Sequence, residues 1–199
     1  MRLSNIHGPA LGFVVLCLLS LQVLAQDRPA ESPLKVEYIR ADIDYSQYDK
    51  LMLDDVDVSN TRIISPPWRE TEPYDWKITP ESTAALQAAF RAAMTEQVSG
   101  NDGHPLVEKS GPGVMEMRIR IISFMPYADR NEKVTTRGSG EMQIQVALRD
   151  ATTNELIAMY EGTQEVGQNY QVNSDLTRQK NLQELFNVWG QRVRAFLDR

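Results

Sequence analysis

The chain has 199 residues, of which 42% are hydrophobic and 24% charged, and its net charge is −6. That composition supports a buried core of about one ordinary domain, and 11 glycines with 10 prolines exclude collagen-like or low-complexity architecture. An acidic chain without a basic stripe also excludes nucleic acid as an expected partner, because phosphate contacts need clustered Lys and Arg.

The chain opens as an export signal. Met1–Ala25 carries one charge, Arg2, then an apolar run from Leu11 to Leu19, then Val23-Leu24-Ala25 ahead of Gln26. This three-part layout predicts a secretory signal peptide over residues 1–25, cleaved after Ala25, and export to the periplasm of a Gram-negative cell. The run is shorter than the ~20 residues that span a bilayer, so no transmembrane span is expected in the mature chain. Cys17 invites lipidation, but Leu16 stands where a small residue is needed, so no lipid anchor is expected. Cleavage would remove Arg2, the single cysteine and His7. The mature chain is then more acidic still, has no disulfide and keeps only His104, which rules out a zinc site of His and Cys. Gln26–Pro33 reads as a flexible leader, and residues 34–199 as a single domain.

In chain order, Tyr48–Val58 is the first strong strand. Leu51 and Leu53 share a face, Val56 and Val58 share a face, and the phase slip at Asp54-Asp55 predicts a β-bulge. Asn60–Ile78 carries Pro66-Pro67, Trp68, Pro73, Tyr74 and Trp76, and reads as a long loop. Thr79-Pro80-Glu81 starts a helix, with Thr79 as cap, Pro80 at the first position and Glu81 at the positive dipole end. Leu86, Ala89, Phe90, Ala93, Met94 and Val98 make its apolar face, and Gly100 followed by Asn101-Asp102-Gly103 ends it. Val114–Phe124 and Glu141–Arg149 alternate apolar and polar residues, and Leu156–Thr163 returns as a hairpin arm after the turn at Asp150–Asn154. Ser174-Asp175 opens a last helix whose stripe is Leu182, Leu185, Phe186, Trp189, Val193, Phe196 and Leu197, too apolar to remain in water. Two helices on one face of a mainly antiparallel sheet make an α+β two-layer sandwich.

Few residues carry a chemical signal. Asp55, Asp57 and Ser59 have the first spacings of a calcium loop, but Asn60 replaces its glycine and no closing Glu follows, so a charged strand edge is expected. Gly138-Ser139-Gly140 lacks the spacing of a nucleophile elbow, and Ser32-Pro33-Leu34-Lys35 has no companion motif. No catalytic residue, metal site or cofactor is therefore expected. Trp68, Tyr74 and Trp76 crowd a proline-stiffened loop, where aromatics either stack on sugar rings and anchor a protein partner or fold back to plug the end of the sheet. Arg118 and Arg120, with Arg130, Lys133 and Arg137 nearby in sequence, form either a local cationic patch for lipid head groups or an acidic partner, or a solvated face paired with Glu116 and Glu141.

Several of these stretches resemble the bacterial envelope family known as domain of unknown function 3313. They are Tyr48–Val56, the helix from Thr79 to Val98, the paired amphipathic strands, the turn Asp150–Glu155 and the terminal helix carrying Trp189. The resemblance covers most of residues 34–199 and implies a lipoprotein-like envelope protein, although this chain lacks a good lipidation motif. It supplies no activity and no catalytic residue. The expected function is an exported, non-enzymatic accessory module that engages an envelope protein. The alternative is a module binding cell-wall sugar or lipid with the aromatic loop. The candidate interaction residues are Trp68, Tyr74, Trp76, Arg118 and Arg120.

Overall fold

Two capped helices organise the molecule. The structure is a computed structural model and describes residues 34–69 and 76–198. The signal segment and leader, residues 1–33, and Tyr74 lie outside the described residues. Helix α1 spans Pro80–Met94 and continues through a wider turn, Thr95–Ser99. The Thr79 hydroxyl accepts from the Ser82 amide at 3.2 Å, and the Ser82 hydroxyl accepts from the Thr79 amide at 2.9 Å. Two otherwise orphaned N–H groups are thereby satisfied. Helix α2 spans Asp175–Leu197, and Ser174 with Thr177 repeats the same reciprocal cap. After α1 the chain turns through Asn101 and Asp102, with φ of 51° and 58°, left-handed values that Asn and Asp tolerate better than most residues.

The strands are β1 (Lys35–Ile39), β2 (Lys50–Leu53), β3 (Arg62–Ile63), β4 (Leu106–Val107), β5 (Val114–Pro126), β6 (Thr135–Arg137), β7 (Gly140–Asp150), β8 (Leu156–Val166) and β9 (Tyr170–Val172). The main sheet has the order β1-β8-β7-β5-β2-β4, with β3 also on β5, while β6 and β9 pair separately. The run β1-β8-β7-β5 is antiparallel, and β2 lies parallel to both β5 and β4. Parallel neighbours need a long crossover, and α1 lies in the one joining β2 to β5. The whole is an α+β two-layer arrangement on a mixed, mostly antiparallel sheet. Sequence reading missed β1 and the short strands. β3 lies inside the stretch read as loop, and every residue of β1 is exposed, so no alternation marks it.

The strand expected over Tyr48–Val58 is shorter: it pairs with β5 over Lys50–Leu53, Asp57 then makes an isolated bridge to Arg120, and the expected one-residue bulge lies between the two, completed by a helix residue. Leu51 and Leu53 are buried, Asp54 and Asp55 are not, and Val56 is buried again, one residue out of phase. Opposite the bulge, the Val56 amide donates to Gln87 Oε1 at 2.8 Å and Gln87 Nε2 donates to the Val56 carbonyl at 2.8 Å. The bulged backbone thus keeps both hydrogen bonds, supplied by α1 instead of a strand.

The core lies between the helices and the sheet face carrying Met115, Met117, Ile119, Ile121, Ile144 and Leu148. Phe90 of α1 and Phe186 of α2 meet edge to face with centroids 5.5 Å apart. One turn further on, a Cβ at Gly190 would stand 2.6 Å from Gln97 Cβ and 3.4 Å from the Ala93 carbonyl oxygen, so the bare Cα permits the close approach. The buried Trp189 indole donates to Gln164 Oε1 at 3.2 Å.

Candidate functional site

Among the described residues of the aromatic loop, Trp76 is anchored and Trp68 is presented. The Trp76 indole donates to the Ala128 carbonyl at 2.8 Å, its ring meets Phe124 edge to face at 5.1 Å, and the Arg178 guanidinium of α2 lies 5.5 Å from its centroid. Trp76 is thereby fixed on the helix side of the sheet. Trp68 is 64% exposed and leans on Tyr127 at 5.5 Å. The Tyr127 hydroxyl donates to Glu141 at 2.7 Å, and burial, then that carboxylate, push its pKa far above the ordinary phenol value.

The platform under Trp68 is firmly tied. Arg69 bridges to Glu132 and Asp129, each at 2.6 Å, and the Glu132 hydrogen bond in particular raises its pKa. Asn173 Nδ2 donates to the carbonyls of Asp129 and Glu132, both at 2.8 Å, joining this loop to the start of α2. Sequence reading missed Arg69, Tyr127 and Arg178. Their positions in a Pro-rich loop, after a strand and in a first helical turn say nothing about the distant partners each will meet: Asp129 and Glu132 for Arg69, Trp68 for Tyr127 and Trp76 for Arg178.

Arg118 and Arg120 point to the sheet face opposite the helices, alternating with buried Met117, Ile119 and Ile121. Arg118 meets Glu116 at 2.8 Å and Asp54 at 3.1 Å, with the Glu116 hydrogen bond the main cause of its raised pKa. Arg120 meets Asp57 at 2.9 Å. Glu116 is one partner that sequence reading named, whereas Glu141 accepts from Tyr127 instead. Arg120 and Tyr127 are seven residues apart along and just past β5, a separation of roughly 20 Å at strand rise. The arginines and the Trp68 platform therefore do not form one site.

The remaining chemical candidates are engaged elsewhere. Asp57 accepts from the Ser59 hydroxyl and amide and from Arg120, which together lower its pKa, and Asp55 pairs with Arg91. Among the described residues no cluster of three or more His, Cys, Asp or Glu side chains could hold a metal. The His104 ring contacts Asp198 at 2.8 Å and the Asp49 carbonyl at 3.2 Å, while the Ser139 hydroxyl accepts from Asn181 at 2.7 Å. His and Ser thus belong to separate hydrogen-bond groups. No described helix is long and apolar enough to cross a membrane.

Two apolar grooves flank α2. A cleft of about 490 Å³ opens between the first halves of α1 and α2 above the sheet, with Trp76, Lys77 and Arg130 at its rim. A groove of about 390 Å³ lies between the second half of α2 and β1, lined by Val36, Ile39, Trp189 and Arg192 among others. Burial in that apolar setting lowers the Arg192 pKa.

Comparison with known proteins adds a family and several similarities of shape. The chain is similar to the PelC dodecamer of Paraburkholderia phytofirmans, at 9% identity over 81% of this chain and 96% of that one, with a TM-score of 0.41. It is similar to protein XCC0632 of Xanthomonas campestris, of family DUF330, at 8% identity over 78% and 89% of the two chains, with a TM-score of 0.45. It is also similar to protein CT253 of Chlamydia trachomatis, at 11% identity over 75% and 98%, with a TM-score of 0.40. No curated protein matches the sequence. Residues 16–193 match the model for the protein of unknown function DUF3313, and the chain belongs to that family.

Proposed function

We propose that the protein is an exported, periplasmic, non-enzymatic module that works by contact with another envelope protein. The observation that carries this reading is Trp68, a large aromatic left 64% exposed on a platform immobilised by Arg69, Tyr127 and Asn173. A rigid exposed tryptophan suits an interface anchor, because little conformational freedom is lost when it is covered. Arg118 and Arg120 sit outside this contact as internally neutralised pairs.

The test is site-specific photocrosslinking in intact cells, with a photoreactive phenylalanine at Trp68 and, separately, at the exposed Ala84 on α1. The expected result is one defined adduct from position 68 and none from position 84. Absence of an adduct at 68, or the same adducts from both positions, would remove the reading.

A further inference from the structure

The cleft between the helices has a composition that selects one class of ligand. Its walls come from α1, α2, the inner sheet face and β3, and are mostly aliphatic or aromatic. Its volume of about 490 Å³ falls within the ~300–1,000 Å³ typical of small-molecule sites. Several wall residues remain in contact with solvent: Ile78 is 42% exposed, Ala85 is exposed, and Leu86, Ala89 and Leu182 are half-buried. Apolar surface left open inside a concavity favours an apolar occupant.

The rim adds a sign of charge. Among the described residues that line the cleft, Lys77, Arg130 and Arg178 are cationic and only Asp175 is anionic. This local excess is set in a chain of net charge −6. Arg178 is held by Asn173 and Asp175 over the Trp76 ring, so its charge is fixed at one end of the cleft. Arg130 approaches Asp175 at only 3.7 Å, and Lys77 has no ion-pair partner among the described residues. Both can turn toward a ligand.

We propose that this cleft binds a single-chain amphiphile with an anionic head, the alkyl chain lying along Leu86, Ala89 and Leu182 and the head meeting Lys77, Arg130 and Arg178. A neutral sugar would leave the aliphatic walls uncovered, and a peptide strand would need backbone partners that the helix walls do not offer. This inference stands apart from the protein-contact reading, which uses Trp68, a residue that does not line the cleft.

The full chain is to be titrated with dansyl-undecanoate, and the probe displaced with hexadecanoate, hexadecyl phosphate, hexadecanol or acetate as competitors. Saturable binding of one equivalent is expected, with displacement by hexadecanoate or hexadecyl phosphate and far weaker displacement by hexadecanol and acetate. The tighter of the two anions identifies the head group. Charge reversal at two exposed positions, Lys77→Glu with Arg130→Glu, is expected to weaken hexadecanoate by about tenfold. Ala85→Trp fills the cleft from an exposed helix position and is expected to abolish binding with the melting temperature retained. Val36→Arg in the other groove is expected to leave binding unchanged. No saturable binding, equal displacement by hexadecanol and hexadecanoate, or normal binding by Ala85→Trp would each overturn the proposal.

Discussion

The two ends of the α1–α2 pair are built from similar residues and behave in opposite ways. Toward the end of α1 the helices touch through Phe90 and Phe186, and Gly190 lets α2 settle against Gln97 and the Ala93 backbone. Phe90, Ala93, Met94 and Phe186 are sealed from water there. Toward their starts the same helices separate, and Leu86, Ala89 and Leu182 face a cleft of about 490 Å³. Packed helices that cross at an angle diverge away from the point of closest approach. A very close contact at one end thus requires an opening at the other, unless larger side chains fill it. Here Ala85 and Ala89 stand where larger ones would be needed. One end supplies stability and the other leaves room.

That contrast can be broken at the closed end. Phe186→Ala removes a ring buried against Phe90 and Trp189, and is expected to cost about 3–5 kcal/mol in urea unfolding. A value near zero would mean that the crossing is not the stabilising contact. Gly190→Val places branched atoms where Gln97 Cβ already stands at 2.6 Å. It is expected to cost about 1–3 kcal/mol by pushing the helices apart. At the open end, Leu182→Ala removes a half-buried side chain with space around it, and should cost no more than about 1 kcal/mol. If its cost equalled that of Phe186→Ala, the cleft would be closed in solution.

Tyr48 gives a control away from both ends. Its hydroxyl donates to Asp150 at 3.0 Å, and burial, then that hydrogen bond, push its pKa up to about 12. The fold favours the protonated phenol. Its contribution is therefore complete below the ordinary phenol value of about 10 and is lost as pH rises through the elevated value in the fold. Tyr48→Phe is expected to cost about 1 kcal/mol at neutral pH and to flatten the alkaline limb of a stability-against-pH curve. The smallest effect is expected at Trp68→Ala, within about 0.5 kcal/mol in thermal or urea melts, because the indole is mostly in water.

What the sequence made legible is local. Thr79 and Ser174 announce their helices because a cap needs only the next three residues. The β7–β8 hairpin follows from alternation and from Asp150, whose Oδ1 accepts from the Thr152 and Thr153 amides at 2.8 Å. The bulge is visible as the one-residue slip between Leu53 and Val56. Features decided by distant partners were not legible. β3 and β4 are two residues long and exist because β5 and β2 run beside them. Trp68 and Trp76 have similar local settings, and what separates them is the Ala128 carbonyl, 52 residues beyond Trp76. The cleft has no sequence motif, since its volume depends on how two helices meet elsewhere.

The Gln87–Val56 pair has a consequence for chemical ageing. A single primary amide donates to one backbone carbonyl and accepts from one backbone N–H of the same residue, which an ionised glutamate, a side chain of the same length, cannot do. Deamidation to glutamate keeps the acceptor, removes the donor, and sets a carboxylate beside the Val56 carbonyl oxygen. A change of under one dalton would then leave the Val56 carbonyl without its partner on α1. In stored or long-lived material, damage at this one position would show as a mass gain of under one dalton at Gln87 together with a looser hold of α1 on the Val56 carbonyl.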